Sequence, residues 1–146
     1  MGQQQLLLLV LGIIIVGVAV AVGINMFSSS AVDANRDMVT SDLVNLASKA
    51  QQFYKKPVQM GGGGGDFNGF TLGTLDQSNA NGAYRLATAV PAVLVAAPPV
   101  GVVTIGAAAQ TIYVVGYGVE KGRDDTNLVM AYSTVTPSTI VTTILN

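Results

Sequence analysis

The stretch LLLLVLGIIIVGVAVAVGI, residues 6–24, contains only Leu, Val, Ile, Ala and Gly, and no charged residue precedes Asp33. At about 1.5 Å per residue, a helix over this run spans close to the ~30 Å of a bilayer core. Its fourteen Leu, Ile and Val residues each favour insertion by roughly 0.3 to 0.6 kcal/mol. The run therefore predicts a helix that lies in lipid or in an equally dry environment.

The apolar run is expected to be kept in the working protein. A secretory signal has Lys or Arg ahead of an apolar core of about 7 to 15 residues. Here the residues ahead of a longer core are the uncharged Gln3, Gln4 and Gln5. Lipidation is disfavoured as well, because an N-myristoyl signal needs Ser or Thr at the position of Leu6.

A second helical pattern follows the first. From Val39 the apolar residues recur at every third or fourth position, which is typical of an amphipathic helix. No proline separates the two patterns, so the sequence predicts one helix from about Gln3 to Tyr54, roughly 75 to 80 Å long. Lys55-Lys56-Pro57 is expected to end it. Within the amphipathic half at 33–54, the residues expected to pack against the rest of the chain are Val39, Leu43, Leu46, Ala50 and Phe53.

The remainder of the chain predicts β structure. Gly61 to Gly65 predicts a flexible joint within 57–69, and the chain beyond it is rich in Val, Ile, Thr and Tyr. Turn signals at short intervals predict a small antiparallel sheet or sandwich. The predicted fold class is α+β, with a helical domain at 1–56 and a β head at 70–146. The segments expected to form strands are 70–75, 84–90, 93–97, 100–105, 111–119, 128–135 and 139–145.

Composition excludes most catalytic and nucleic-acid functions. Charged residues make up 10% of the chain, the net charge is -1, and Cys and His do not occur. There is thus no basic patch for nucleic acid, no thiolate metal ligand, and no histidine, which is the commonest general base. We expect no enzymatic activity, no cofactor, no metal and no small-molecule substrate.

Two motifs could indicate a binding or catalytic site, but we interpret both as structural: one as a joint and the other as a polar turn. The glycine run is followed by Asp66, whereas a phosphate-binding loop needs a Lys and a Ser or Thr after its last glycine. Glu120, Asp124 and Asp125 carry the oxygen atoms that Ca²⁺ or acid-base chemistry requires. They lie in a short polar turn between predicted strands, where we expect solvated charges.

An apolar helix near residue 1 that continues into an amphipathic half, a Gly-bearing joint and a strand-rich region resembles the layout of the type IV pilin superfamily. The likeness covers Met1 to about Tyr54 well, and the β region only as a strand-rich head. If Met1 is the mature end, Gln5 stands where bacterial members carry Glu. Cleavage after Gly2 would instead leave Gln3 first, which is similar to archaeal pilins. The sequence leaves open whether Met1 or Gln3 is the mature N-terminus, and whether the protein is bacterial or archaeal.

The resemblance implies a structural subunit of a surface filament. Subunits are held in the membrane and then polymerised by a pilus assembly machinery, with apolar helices in the core and β heads outside. The sequence leaves open whether such a filament serves cell adhesion or motility. It also leaves open whether the helix glycines form a bend, a melted segment or a contact surface. The apolar contacts expected between copies are Leu7, Leu11, Gly12, Ile14, Gly17, Val18 and Val22, and the polar contacts are Gln3, Gln4 and Gln5.

Two other functions are compatible with the same residues. One is a pseudopilin or minor subunit of a secretion system, which shares the layout and differs in abundance. The other is a β-domain binding module anchored in the membrane by a single helix, which never polymerises. The anchor needs only the ~20 residues of a bilayer crossing, and the continuation of the predicted helix for about thirty more favours self-association.

Overall fold

The computed structural model describes residues 2–95, 97–98, 103–106 and 108–146. One long helix comes first and a five-stranded antiparallel sheet follows, so the predicted α+β class is confirmed. Short 3-10 helices cover Val58–Met60 and Thr74–Asp76. The main elements are α1 at Gln3–Lys55, β1 at Ser78–Asn79, β2 at Gly82–Ala87, β3 at Ile112–Lys121, β4 at Leu128–Val135 and β5 at Ile140–Ile144.

Helix α1 is continuous over 53 residues, which at 1.5 Å per residue makes it about 80 Å long. It passes without a break through Gly12, Gly17 and Gly23. The helix ends at Lys55 because Lys56, which precedes a proline, has an extended backbone. The predicted single helix is therefore present, with its end one residue from the expected position.

The glycine run folds back onto the end of α1. The backbone N–H of Gly63 donates to Phe53 O at 2.8 Å, and that of Gly65 donates to Tyr54 O at 2.9 Å. Gly65 has a φ of 96°, in the left-handed region that a residue with Cβ rarely adopts. The glycines thus satisfy helix-terminal carbonyls that would otherwise lack partners. The segment predicted as a flexible joint is a hydrogen-bonded cap in this structure.

The sheet is a meander in which each strand pairs antiparallel with the next, in the order β1-β2-β3-β4-β5. Tyr84 lies opposite Gly116, and Val114 lies opposite Ser133. The pairing of β3 with β4 shifts between Tyr117 and Lys121, which marks a bulge near the polar turn. The expected segments 84–90, 111–119, 128–135 and 139–145 correspond to β2, β3, β4 and β5.

The other expected strands are wrong where the structure describes them. Residues 70–75 form an irregular segment that ends in a 3-10 turn, with Phe70 and Leu72 buried as single side chains. In the expected strand 93–97, residues 93–95 and 97 are irregular, and residue 96 lies outside the described part. In the expected strand 100–105, residues 103–105 are irregular, and residues 100–102 lie outside the described part. The β-branched composition of these segments fits a strand, but a strand forms only where a sheet edge offers a partner.

A single sheet is present among the described residues, and a sandwich is not. Helix α1 takes the place of a second sheet: Val39 and Leu43 pack against the face that carries Tyr84, Leu86 and Val114. Phe67 and Ile105 close the core near the end of α1, and both are fully buried. The helix therefore covers this face of the sheet.

The opposite face of the sheet has a smaller cluster. Val115, Tyr117 and Met130 are buried there, with Leu94 and Val95 packed against them. The backbone N–H of Leu128 donates to Val95 O at 3.0 Å and so ties this irregular segment to the sheet. The head therefore has three layers: the helix, the sheet and a covering loop.

Candidate functional site

The first half of α1 projects away from the head. Every residue from 6 to 22 is exposed in the isolated chain, including all the Leu, Ile and Val side chains. This is the one helix in the described part of the chain that is long and apolar enough to cross a membrane, and none of its most apolar window is buried. An exposed apolar surface of this size marks a contact with lipid or with protein.

The predicted contacts between copies all lie on this projecting half. Val18, for example, is 59% exposed and belongs to neither hydrophobic cluster of the head. In a regular helix with about 100° per residue, Gly12 lies on the side opposite to the head, and Val22 lies at the border of the side that faces it. The predicted contacts that point to the same side as the head are Leu7, Leu11, Ile14, Gly17 and Val18.

The three glutamines form the polar tip of the helix. Gln3, Gln4 and Gln5 are exposed, and their side chains hydrogen-bond to no described residue. The backbone N–H of Gln5 donates to Gly2 O at 3.1 Å, which closes the first turn. Their amide groups are therefore available to pair with groups outside the chain, at the end of a surface that is otherwise apolar.

A second apolar stripe runs along the side of α1 that faces away from the head. At about 100° per residue it passes through Leu9, Ile13, Val16, Val20 and the following turns, then reaches residues that lie level with the head. There Phe27 is 81% exposed and Met38 is 50% exposed. The stripe between them is completed by Ala31 and Ala34, which are also exposed.

The residues expected to join helix and head lie at the interface. Val39, Leu43, Leu46 and Ala50 are buried in the core cluster, and Phe53 is half-buried at its edge. The Phe53 ring packs against Phe70 with ring centroids 5.3 Å apart. On the sheet side the complementary residue is Gly116, where an added Cβ would lie 2.7 Å from Val39 Cγ1. The absence of a side chain there lets the helix approach the sheet closely.

Polar anchors at the same interface were missed by the sequence analysis. Asn35 is buried, donates from Nδ2 to Asn81 O at 2.9 Å, and accepts from the Glu120 N–H at 3.4 Å. Gln51 Nε2 donates to Thr136 O at 2.9 Å. A buried Asn on the apolar side of an amphipathic helix is the signal that could have identified the first anchor, since a buried amide needs partners.

Asp42 is the centre of a second polar group beside the interface. Its Oδ2 accepts hydrogen bonds from Tyr84 Oη at 2.6 Å, Asn79 Nδ2 at 2.8 Å and Asn81 Nδ2 at 2.9 Å. Burial, followed by the hydrogen bond to Asp42 and the charge of that carboxylate, raises the pKa of the Tyr84 hydroxyl. A protonated hydroxyl held against a carboxylate fixes β2 to the helix, and its proton is not available near neutral pH.

The acidic turn between β3 and β4 is stabilised internally. Asp124 Oδ1 accepts from the backbone N–H groups of Thr126 at 3.2 Å and Asn127 at 3.0 Å. The Asn127 side chain, followed by its backbone N–H, holds the pKa of the Asp124 carboxyl below its usual range. Asp125 follows with a φ of 53°, in the left-handed region. Within the described ranges these carboxylates do not come together with others as a group of metal ligands.

The fold and this surface define a class: an α+β chain whose long apolar helix at the front end precedes an antiparallel sheet, a layout compatible with that of pilins. Comparison with models of protein families, with curated proteins and with solved structures finds no match to this chain. The features that bear on its function are therefore the exposed helix and the packing of the head against it.

Proposed function

We propose that this protein is the structural subunit of a pilus-like extracellular filament. In this proposal the subunit is first held in the membrane by residues 6–24, and an assembly machinery then transfers it into a helical polymer. The exposed half of α1 packs against the helices of other copies in the filament core. The β heads lie on the outside, and no catalytic residue, cofactor or small-molecule substrate takes part.

The observation that carries the proposal is the apolar stripe that continues past the length of a membrane. Met38 follows Ile24 by about 21 Å along the helix, whereas the headgroup region adds only about 5 to 8 Å on each side of the bilayer core. Phe27 and Met38 are nevertheless exposed on the side away from the head. A simple anchor has no need of apolar residues in that position, and a neighbouring helix would cover them.

The absence of charge supports the same proposal. No charged residue occurs before Asp33, and Asp33 is exposed and pairs with Arg123 Nη2 at 3.6 Å. A core made of many helices excludes water, and an unpaired charge buried in it costs several kcal/mol. The glutamines at positions 3–5 bring only hydrogen-bonding groups into such a core.

A single-pass anchor for a β-domain binding module is the second candidate. It is favoured by a specific observation, since the second half of α1 is used for the core of the head, through Leu43, Ala47 and Ala50. The thirty residues beyond the apolar run are thus partly explained without self-association. A pseudopilin of a secretion system shares all these features with the filament subunit and would differ from it in abundance.

The experiment that separates filament from anchor uses the stripe away from the head. In cells that produce the chain, Met38→Glu should lower the yield of sheared surface fibres by at least about a hundredfold, because it leaves an unpaired buried charge in the contact. The matched control is Leu75→Glu, which changes a 90% exposed side chain of the head and should leave the fibre yield unchanged. Equal fibre yields for both variants, at equal amounts of chain in the membrane, would contradict the proposal.

A further inference from the structure

Strand β5 forms one edge of the sheet and offers a full set of backbone groups for pairing. The Leu145 N–H donates to Met130 O at 2.8 Å and the Thr136 N–H donates to Thr139 O at 2.9 Å. The register of β4 with β5 is constant, and hydrogen-bonded pairs alternate along an antiparallel ladder. The residues of β5 that bond to β4 are therefore 141 and 143. It follows that the N–H and C=O groups of Ile140, Thr142 and Ile144 point away from the sheet.

These outward groups have no partner within the described part of the chain. No hydrogen bond from another segment reaches the backbone of Ile140, Thr142 or Ile144. The other edge of the sheet differs, since β1 is only two residues long. An edge strand of five residues with unpaired groups is a template for the addition of another strand.

The edge also lacks the features by which proteins block such pairing. Charged residues, proline and bulges are the usual protection of an edge, and residues 139–145, TIVTTIL, contain no charge, no proline and no glycine. The side chains of Val141 and Ile144 are 57% and 47% exposed. Segments of six or seven residues with this composition pair readily with their own kind.

The sequence of β5 is complementary to itself. If two copies pair antiparallel about Thr142, then Ile140 of each lies opposite Ile144 of the other, and Val141 lies opposite Thr143. All three residues with outward groups then form hydrogen-bonded pairs. The side-chain pairs are β-branched or Thr–Thr, which are favourable across strands, and no like charges meet.

We propose that β5 pairs antiparallel with β5 of a second copy of this chain, about a two-fold axis at Thr142, and joins two five-stranded sheets into one. We assign a second copy as the partner of this edge because β5 can form hydrogen bonds and favourable side-chain pairs with another β5. The surface of this contact is separate from the exposed half of α1, and the contact does not depend on it.

The symmetry of this contact sets the direction of the two chains. The two-fold axis of an antiparallel strand pair is perpendicular to the sheet, and α1 lies along one face of that sheet. Rotation by a half turn about such an axis reverses the direction of α1. The pairing therefore joins chains that point in opposite directions. If the chain forms filaments, the β5–β5 pairing would link neighbouring filaments of opposite polarity side by side. This part of the inference rests on the proposed function.

The test uses the absence of cysteine from the chain. Full-length Val141→Cys and Thr143→Cys chains are purified separately in detergent micelles, mixed, and oxidised mildly. Because residue 141 faces residue 143 of the partner, the mixture should form at least about tenfold more disulfide-linked dimer than either variant alone, in which the two sulfur atoms are too far apart. The control pair is Leu75→Cys mixed with Thr143→Cys, which should give only background dimer.

A second variant checks that the dimer depends on the edge. Val141→Lys combined with Thr143→Lys places like charges opposite each other and should return the micelle-held chain to a monomer, with an unchanged circular dichroism spectrum. Equal dimer in every cysteine sample, or none in the mixture, would overturn self-pairing, and the second result is also the one expected if another protein occupies the edge. Because the assay is made in micelles, loss of fibres in the Met38→Glu variant leaves its outcome unaffected.

Discussion

At the scale of single residues, the join between helix and head depends on small residues opposite large ones. Gly116 of β3 lies below Val39, Leu43 and the Tyr84 ring. Gly118, two residues further along the strand, leaves room for Asn35, whose oxygen an added Cβ would overlap. These glycines are required for close approach and not for their backbone angles, since neither has a positive φ.

Gly116→Ala should therefore destabilise the head by about 1 to 3 kcal/mol, the usual effect of overpacking a core. The added Cβ would lie 2.7 Å from Val39 Cγ1 and 3.1 Å from Tyr84 Cε1. The measurement is the free energy of unfolding of the full chain in micelles, from denaturant titration. The control is Gly106→Ala, where no atom lies within 4 Å of an added Cβ. A Gly116→Ala chain as stable as the control would show that helix and sheet are not in close contact.

Asp66 gives a prediction about pH. The backbone N–H groups of Ala109 and Asn68, at 2.8 Å and 2.9 Å from Oδ1, hold the pKa of the Asp66 carboxyl below its ordinary value of 3.8. A carboxyl whose pKa is lower in the folded chain than in the unfolded chain stabilises the fold when the pH is above its unfolded-state pKa. This contribution is lost as the pH falls through the folded-state pKa. Below pH 3.8 the wild-type chain should lose stability that an Asp66→Asn chain never had.

The measurement for Asp66 is the unfolding midpoint of both chains in micelles from neutral pH to about pH 2. The difference between them should be largest near neutral pH and should shrink at the acid end. Asp125→Asn is the matched control, because the Asp125 side chain makes no hydrogen bond to any described residue. A constant difference between wild type and Asp66→Asn across the range would contradict the assigned role.

At the scale of elements, local patterns were predictive and pairings were not. The period of the apolar residues sufficed to predict α1 to within one residue at its end, because a helix is built from local hydrogen bonds. The expected strand at 128–135 coincides with β4. By contrast the expected strand at 70–75 is irregular: Phe70 and Leu72 fill the core singly, and the Phe70 carbonyl accepts from the N–H of Ile105, which lies in an irregular segment and not in a strand.

The polar anchors show the same distinction. Asn35 binds the carbonyl of Asn81, which is 46 residues away in the chain, and Asp42 binds residues of the turn and strand near 79–84. Such contacts require the sheet to be in place: the position of Asn35 on the apolar side of the helix indicates that its amide needs a partner, but the helix sequence does not identify that partner. The order of the glycine run escaped prediction for a similar reason, since its partners are the last carbonyls of α1.

The exposed half of α1 gives the prediction at this scale. Val18→Asp should reduce the fibres formed per membrane-inserted chain by at least about a hundredfold, because a carboxylate would be buried without a partner among helices. The β head should fold normally, since Val18 is exposed and belongs to neither of its hydrophobic clusters. The control is Val18→Leu, which keeps the site apolar. Fibre yield is normalised to the chain recovered in membranes, and normal fibres from Val18→Asp would refute the core assignment.

At the scale of the whole molecule, the two halves of one helix have different surroundings. The second half is the core of a three-layered head, fixed by Val39, Leu43 and Asn35. The first half is exposed on all sides and requires an apolar environment that the chain itself does not supply. Lipid would meet this requirement for residues 6–24, and in the proposed filament other copies would meet it for the stripe that extends to Met38 as well.

In the proposed filament, the apolar half of α1 is finally covered by copies of itself. The most direct measurement is electron cryomicroscopy of the surface fibres, at a resolution that shows helices. We expect a helical polymer with the α1 segments of residues 6–24 packed around its axis and the β heads outside. Chains found only as single subunits in membranes, or fibres without these helices at the axis, would contradict it.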